Sequence, residues 1–303
     1  MPNRLLLLAA ENKRLEGVAT QSRLTRPVVE RYVAGRSLEE ALQVTEALNR
    51  SGLAVSLDLL GESVSDLQRS QLATQEYLAV INGMVSRTKG STVSVKLSQL
   101  GVAIDSSACE QNLRALLAAA RENGAEVEVD MEHSSVGRET LAIFRRILPD
   151  YPETRLAIQA CMRQTPADLF EFTEAKPKIR LVKGAFDESA GVALHDADEV
   201  TSQYNYLAAW TLQNLPDPAF GTHDSQCIDL IKQTARELGI DKSAFEFQML
   251  HGVRRPLQEQ LVREGYRVRI YLPYGTEWYP YLMRRMAEKP GNLFLFLRSL
   301  MGG

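Results

Sequence analysis

The chain has 303 residues, of which 45% are hydrophobic and 24% are charged, a composition typical of a globular protein rather than a disordered or fibrous one. The 35 Lys and Arg residues nearly balance the 38 Asp and Glu residues and no basic block stands out, so we expect no nucleic-acid partner. Cys109, Cys161 and Cys227 lie far apart without a CxxC pair. This spacing favours buried, reduced thiols over a disulfide framework.

The N-terminal region lacks the pattern of a signal peptide or a membrane span. The apolar run of residues 5–10 is short and is followed at once by Glu11, Lys13 and Arg14. We therefore expect a cytoplasmic protein without transmembrane segments. Residues 1–50 are predicted to form an N-terminal helical arm, residues 51–303 to form the main domain, and the apolar tail of residues 292–301 to pack on that domain.

Short runs rich in apolar and β-branched residues recur along the main domain and predict eight strands. They are Ala54–Leu60, Thr92–Leu97, Glu126–Met131, Arg155–Ala160, Ile179–Lys183, Pro218–His223, Phe245–Leu250 and Arg267–Leu272.

Helical stretches separate these runs. Their predicted start signals are capping boxes at Ser37 and Ser107, Thr165 as an N-cap before Pro166, and Asp224. Eight strands, each followed by a helix, predict an α/β fold, a closed (β/α)8 or TIM barrel with extra N-terminal helices, rather than an open sheet.

In such a barrel the chemistry gathers at the C-terminal ends of the strands. The residues there are Glu62, Lys96, Asp130, Gln159, Lys183, His223, Leu250 and Tyr271. Charged side chains at the ends of buried strands are costly unless paired or used, so Lys96, Asp130 and Lys183 are candidate functional residues. A structural ion pair between Lys96 and Asp130 explains those two equally well.

Two common kinds of site are disfavoured by the sequence. The histidines show no HxH, HExxH or carboxylate-rich pattern, so we expect no metal site. No GxGxxG follows a strand, so a dinucleotide would bind without a Rossmann turn. Gly184, directly after Lys183, suits close approach of the backbone to a phosphate.

The last βα unit contains the segment YLMRRMAE, residues 281–288. Tyr281 stands three and four residues before Arg284 and Arg285, so all three can lie on one side of a helix, and Glu288 follows Arg284 by four. This arrangement fits a planar anion such as a carboxylate, and a solvated helix face is the alternative.

Five motifs at these strand ends occur in a characteristic order. They are Arg180–Ala185 (RLVKGA), Phe220–Asp224 (FGTHD), Phe245–Gly252 (FEFQMLHG), Arg269–Gly275 (RIYLPYG) and Tyr281–Arg285 (YLMRR). In this order they resemble the successive motifs of proline dehydrogenase, in its short monofunctional bacterial form. Phe186, where the family usually has Tyr, and Gly221, where it usually has Ala, depart from the pattern.

The resemblance implies a distorted barrel that holds FAD at its C-terminal mouth. The implied reaction is oxidation of L-proline to Δ1-pyrroline-5-carboxylate, by hydride transfer from proline C5 to flavin N5, as the first step of proline catabolism to glutamate. It also implies a membrane quinone as electron acceptor, with peripheral contact at the inner face of the membrane, and a pyrroline-5-carboxylate dehydrogenase as a partner. An oligomer is compatible with it.

By the same resemblance, Arg284 and Arg285 bind the substrate carboxylate, Glu62 pairs with Arg284 as a gate, and Glu288 supports the arginines. The residues implied to surround the proline ring are Lys96, Asp130, Leu250, Tyr271 and Tyr281. Lys96 and Asp130 are the candidates for managing the amine proton. The implied flavin contacts are Met131, Gln159, Arg180, Val182, Lys183, Gly184, Ala185, Thr222 and His223, with Arg180 near N5 and stabilising negative charge on the reduced ring.

Two other functions remain open from the residues alone. A class I aldolase-like barrel would use Lys183 or Lys96 as a Schiff-base nucleophile. A binding barrel without catalysis is the second. The absorption band of an oxidised flavin distinguishes the dehydrogenase from both.

Overall fold

The computed structural model describes Asn12 and residues 26–61, 63–184 and 186–288, with only the backbone given for residues 26–28 and 284–288. In chain order the helices and strands are α1 (Arg26–Tyr32), α2 (Leu38–Arg50), β1 (Ala54–Leu59), α3 (Leu67–Met84), β2 (Thr92–Val95), α4 (Ser106–Glu122), β3 (Glu126–Val129), α5 (Ser134–Ile147), β4 (Arg155–Gln159), α6 (Thr165–Phe170), β5 (Lys178–Val182), α7 (Ala197–Asn214), β6 (Ala219–Gly221), α8 (Ser225–Glu237), β7 (Glu246–Leu250), α9 (Arg255–Arg263), β8 (Arg267–Tyr274) and α10 (Trp278–Glu288).

The strands form one closed barrel in sequence order, and β1 pairs with β8 in parallel to complete the ring. Parallel neighbours need a crossover connection, which a helix supplies after each strand. The predicted (β/α)8 barrel is therefore confirmed. Each of the eight predicted strands is present within two residues of its predicted bounds.

Side chains alternate between two environments along each strand. Leu57, Val95 and Val129 are fully buried and belong to the apolar core that the sheet shares with the surrounding helices. Their neighbours are polar: Ser56 on β1 donates a hydrogen bond to Glu128 on β3, 3.2 Å away. Because β1 and β3 are not adjacent in the barrel, both side chains lie in its interior.

Two of the predicted helix starts are confirmed. Ser37 forms the capping box of α2, since its hydroxyl accepts from Glu40 N at 3.3 Å and its own N–H donates to Glu40 Oε2 at 2.9 Å. Asp224 caps α8 and accepts from Gln226 N at 2.9 Å.

The other two starts were wrong by one or two residues. Asp105, rather than Ser107, caps α4, because its carboxylate accepts from the backbone N–H groups of both Ser107 and Ala108. A carboxylate at a helix N-terminus also interacts favourably with the helix dipole. Thr165 is the first residue of α6 rather than its cap, and its hydroxyl donates to Gln159 O at 2.6 Å.

The three cysteines are free and buried, as predicted. Across the described residues, no helix has both the length and the apolar character that a bilayer crossing requires. Helices α1 and α2 belong to the predicted N-terminal arm, and the division at residue 50 stays a prediction. The apolar tail of residues 292–301 lies outside the described residues.

Candidate active site

A cluster of charged side chains lies at the C-terminal mouth of the barrel, where β1, β2, β3 and β8 end. Lys96 Nζ forms an ion pair with Asp58, lies 3.3 Å from Asp130 Oδ2 and donates to the Tyr271 hydroxyl at 3.2 Å. The Tyr271 hydroxyl in turn donates to Asp130 Oδ2 at 2.7 Å. The structure thus brings together Lys96, Asp130 and Tyr271. It also adds Asp58, which was not among the residues predicted from the C-terminal ends of the strands.

The charges of this cluster depend on one another. Burial opposes the charge on Lys96, but Asp58, Tyr271 and Asp130 outweigh it and hold the Lys96 pKa well above its usual value. Burial also opposes the charge on Asp130, yet Arg180 and Lys96 hold its pKa well below the usual range. Lys96 is therefore an ammonium and Asp130 a carboxylate at neutral pH.

Burial acts differently on the other two groups. It raises the pKa of Asp58, against the opposing effect of Lys96. It also raises the Tyr271 pKa well above its usual value, with Asp130 adding to the shift, so the phenol stays protonated and can donate. Two nearby carboxyl groups with opposite pKa shifts are typical of sites that handle protons.

Arg180 on β5 lies below this cluster and connects it to the barrel interior. Its Nη2 donates to Asp130 Oδ1, and its Nη1 donates to Glu128 Oε2 at 2.9 Å. Burial disfavours the guanidinium charge, but Asp130 and Glu128 together keep the Arg180 pKa above its usual value. Its Nε has no hydrogen-bond partner among the described residues.

A second layer of buried charges lies deeper in the barrel around Glu128, which is 1% exposed. Glu128 Oε1 accepts from Gln248 Nε2 at 2.8 Å and lies 3.1 Å from Arg155 Nε. Glu246, two residues before Gln248 on the same face of β7, pairs with Arg269 at 2.8 Å. Barrel interiors are usually filled by branched apolar side chains, so this ionic filling is a departure.

The sequence did contain a signal for these interior residues. The strands VSLD, VSVK, VEVD and VRIY, at residues 55–58, 93–96, 127–130 and 268–271, alternate apolar and polar residues. Buried parallel strands more often read as continuous apolar runs. This alternation marks Asp58, Glu128 and Arg269 as interior polar residues, although it does not give their partners.

The predicted flavin contacts lie on or just after β3, β4, β5 and β6. Lys183 Nζ donates to Thr201 Oγ1 and Asp224 Oδ2, both at 2.9 Å. His223 Nε2 accepts from Leu250 N at 2.9 Å, which joins the ends of β6 and β7. Three more of these residues have identified neighbours. The Thr222 hydroxyl accepts from Asp224 N at 3.1 Å, buried Gln159 donates to Glu132 O at 2.9 Å, and Met131 packs against the core.

Gly184 lies at a position where no side chain can fit. Its φ is +100°, and a Cβ at this position would overlap Cys161 Sγ and come within 3.0 Å of Gln159 Oε1. Glycine is therefore required here by its backbone conformation and by close packing against Cys161, and its backbone is partly exposed. Gly221 is explained in a similar way, because an added Cβ would lie 2.7 Å from Val182 Cγ1.

Phe186, which replaces the usual Tyr, packs its ring on His133 with centroids 4.2 Å apart. The following loop is tied down by Glu188, whose carboxylate accepts from Ser134 N at 2.7 Å and from Ser134 Oγ at 2.6 Å. Further along, Leu194 N donates to Cys161 O at 2.8 Å. The loop is thus fixed to the βα units of β3 and β4.

Five predicted site residues cannot be placed from the structure. Glu62 and Ala185 lie outside the described residues. The backbone of α10 includes the positions of Arg284, Arg285 and Glu288, but their side chains are outside the described part of the chain. Tyr281 lies on the same helix and is buried.

Comparisons with known proteins give one consistent result. The family model described as "Proline dehydrogenase" matches residues 41–293. "Proline dehydrogenase 1" of Bacillus subtilis (strain 168) is 35% identical over 301 residues, which cover 99% of this chain and 99% of that protein. "Proline dehydrogenase" of Deinococcus radiodurans is 36% identical over 303 residues, covering 98% of this chain and 97% of that protein.

Solved structures with the same fold also include proline utilization A from Bdellovibrio bacteriovorus, described as inactivated by N-propargylglycine. The TM-score is 0.80 at 26% sequence identity over 93% of this chain. The match covers 34% of that protein, so this chain spans about a third of its length.

Proposed function

We propose that FAD binds at the C-terminal mouth of the barrel in this chain, which belongs to the proline dehydrogenase family. The chain is an oxidoreductase that oxidises proline in the first step of proline catabolism. The observation that carries this proposal is the buried cluster of Lys96, Asp130, Tyr271 and Arg180 at the mouth, where the partly exposed backbone of Gly184 follows β5. FAD supplies a two-electron acceptor at this mouth.

The residues around Gly184 fit a flavin dinucleotide. A diphosphate needs backbone N–H groups or cations at close range, and the partly exposed Gly184 and Lys183 adjoin each other after β5. Lys183 is partly neutralised by Asp224, so phosphate binding would have to compete with this ion pair. The unpartnered Nε of Arg180 gives the site a further donor below the mouth. We also propose that Met131, Gln159, Val182 and Ala185 contact the flavin and that Thr222 and His223 contact its phosphates and ribose.

For the substrate, we propose that Arg284 and Arg285 bind the proline carboxylate, since guanidinium groups match a carboxylate in paired hydrogen bonds. Lys96 adds a fixed positive charge, because its own pKa is held high. Leu250, Tyr271 and Tyr281 surround the ring, and Glu62 closes over it by pairing with Arg284. Glu288 supports the arginines from the next turn of α10.

Asp130 provides the electrostatic part of the mechanism. As hydride leaves proline C5, positive charge develops on the ring nitrogen. A carboxylate that stays ionised stabilises that charge, and Arg180 and Lys96 keep Asp130 ionised. The Tyr271 hydroxyl and Ser94 Oγ, which donate to Asp130 at 2.7 Å each, fix the orientation of the carboxylate.

The lysine arrangement argues against a Schiff-base mechanism. A nucleophilic lysine must be neutral, whereas the carboxyl groups around Lys96 raise its pKa. Lys183 is held by an ion pair with Asp224 at 2.9 Å. A purely binding function is set aside by the family assignment.

We propose a membrane quinone as the acceptor of the electrons, reached by peripheral contact of the protein with the membrane surface. The product is expected to pass to a pyrroline-5-carboxylate dehydrogenase as a separate partner. Rapid reoxidation of the reduced protein by NAD, with none by a water-soluble quinone, would contradict the choice of acceptor.

The flavin site is tested with a pair of glycine variants. Gly184→Ala places a Cβ into Cys161 at a backbone conformation that disfavours alanine, so it should lower FAD occupancy strongly. Gly191→Ala, in the same βα loop, has no atom within 4 Å of the added Cβ and should keep normal occupancy. FAD is measured by absorbance and after release by denaturation. Equal FAD occupancy in the two variants would show that Gly184 is not part of the flavin site.

A further inference from the structure

Arg180 pairs with two carboxylates, and each carboxylate also accepts a hydrogen bond from a serine hydroxyl. On the mouth side, Asp130 Oδ1 accepts from Arg180 Nη2 and from Ser94 Oγ. On the interior side, Glu128 Oε2 accepts from Arg180 Nη1 at 2.9 Å and from Ser56 Oγ at 3.2 Å. Asp130 faces the proposed substrate, whereas Glu128 is too deep in the barrel to touch it.

The described interior is formally neutral. Its four carboxyl groups, those of Asp58, Glu128, Asp130 and Glu246, match the four cations of Lys96, Arg155, Arg180 and Arg269. All four carboxyl groups have side chains that are at most 9% exposed. Water therefore screens these charges poorly, and loss of any one changes the potential at its neighbours.

From these contacts we propose that Glu128 is a positioning residue that limits how strongly Arg180 favours the reduced form of the flavin, and that Ser56 moderates this effect. The inference rests on the proposed FAD site. A guanidinium close to a flavin stabilises the negative charge gained on reduction. A carboxylate paired with that guanidinium offsets part of this stabilisation, so Glu128 keeps the reduced flavin able to pass its electrons on.

Glu128→Gln and Ser56→Ala change this pairing in opposite senses. The first leaves Arg180 with Asp130 as its remaining carboxylate and should favour reduced flavin by about tenfold, which is about 30 mV upward for a two-electron couple. The second removes a donor from Glu128 Oε2 and strengthens the charge that Glu128 presents to Arg180. It should favour oxidised flavin by about twofold, about 9 mV downward.

Glu246→Gln is the matched control. Glu246 is as buried as Glu128, at 1% exposure, and the substitution removes the same charge. Glu246 accepts from Gln248 at 2.8 Å, and within the described part of the chain it pairs with Arg155, Arg267 and Arg269 rather than with Arg180. Both glutamine variants should lower the melting temperature, because each leaves a buried arginine undercompensated. The flavin potential should shift at least twice as far in Glu128→Gln as in Glu246→Gln. A purely structural role of Glu128 would not produce this difference.

The experiment measures the midpoint potential of the bound flavin in the four holoproteins by reductive titration against a reference dye, with flavin content and melting temperature recorded in parallel. We expect an upward shift in Glu128→Gln, a downward shift in Ser56→Ala and a small shift in Glu246→Gln. Equal shifts in the two glutamine variants would overturn the inference while leaving the FAD proposal intact. Should Glu128→Gln fail to fold, an unchanged or raised potential in Ser56→Ala would overturn it. A parent protein that takes up no flavin would overturn the FAD proposal and the inference with it.

Discussion

Asp130→Asn removes the carboxylate that connects the site's cations, and the structure gives the size of the effect. Asp130 is 7% exposed and accepts from Arg180, Ser94 and Tyr271, with Lys96 3.3 Å away. Breaking a buried ion pair by removing one partner costs about 3–5 kcal/mol. At about 2 °C per kcal/mol for a chain of this size, the melting temperature should fall by roughly 6–10 °C.

The same substitution should lower kcat/KM for proline by about 10²-fold or more, since the carboxylate no longer stabilises charge on the substrate nitrogen. The effect on pH dependence follows from the lowered pKa of Asp130. A depressed carboxyl pKa gives stability that is present above the unfolded-state pKa of about 3.9 and is lost as pH falls through the folded-state value. Asp130→Asn should therefore show a weaker loss of stability below about pH 4 than the parent protein.

Asp217→Asn is the control at the other end of the barrel. Asp217 pairs with Arg155 at 2.8 Å and with Arg267 at 2.6 Å, and its side chain is 25% exposed. It should lose stability and keep its activity. The assays are thermal denaturation by circular dichroism from pH 3 to 8 and steady-state kinetics with proline and an artificial electron acceptor. If both variants kept full activity, or lost the same fraction of it, Asp130 would have no role in catalysis.

Three further predictions concern the substrate arginines, the ring pocket and the thiols. Arg285→Met should lower kcat/KM about ten- to a hundredfold with normal FAD content, because it loses a hydrogen bond to a charged group. Glu62→Ala should reproduce part of the defect of Arg284→Met but little of that of Arg285→Met. Unchanged kinetics in Arg285→Met would exclude Arg285 from carboxylate binding. Tyr271 should crowd a hydroxyl group at C4 of the substrate ring, so we expect a preference for proline over 4-hydroxyproline that Tyr271→Ser relaxes; an unchanged ratio of efficiencies in this variant would show that Tyr271 does not crowd C4. Burial raises the pKa of Cys109 to about 12 and that of Cys161 to about 11, so a thiol reagent at pH 8 should modify neither until the protein is denatured; rapid labelling of the native protein would contradict their burial.

Local sequence patterns were enough to predict the barrel. Each strand is a short segment with its own signal, and the number of βα units leaves few topologies. The mouth residues Lys96, Asp130 and Tyr271 followed from their position at strand ends. The start of α4 was missed because Ser107 and Glu110 satisfy the capping-box pattern, while Asp105, just before them, is the better acceptor.

The interior charges were beyond the reach of local patterns. Glu128 meets Gln248, which is 120 residues away, and Arg180, which is 52 residues away. Such partners are fixed only when the barrel closes and sets the register of every strand. The alternation of polar and apolar residues predicts which side chains face inward, but not that Glu128 lies between Arg155 and Arg180.

The most direct test of the proposed chemistry is anaerobic mixing of the purified, FAD-reconstituted protein with L-proline, followed by its absorption spectrum and by trapping of the product. We predict that the oxidised-flavin band is bleached and that one equivalent of Δ1-pyrroline-5-carboxylate forms per flavin reduced. A protein that binds no FAD, or whose flavin stays oxidised with saturating proline, would contradict the account.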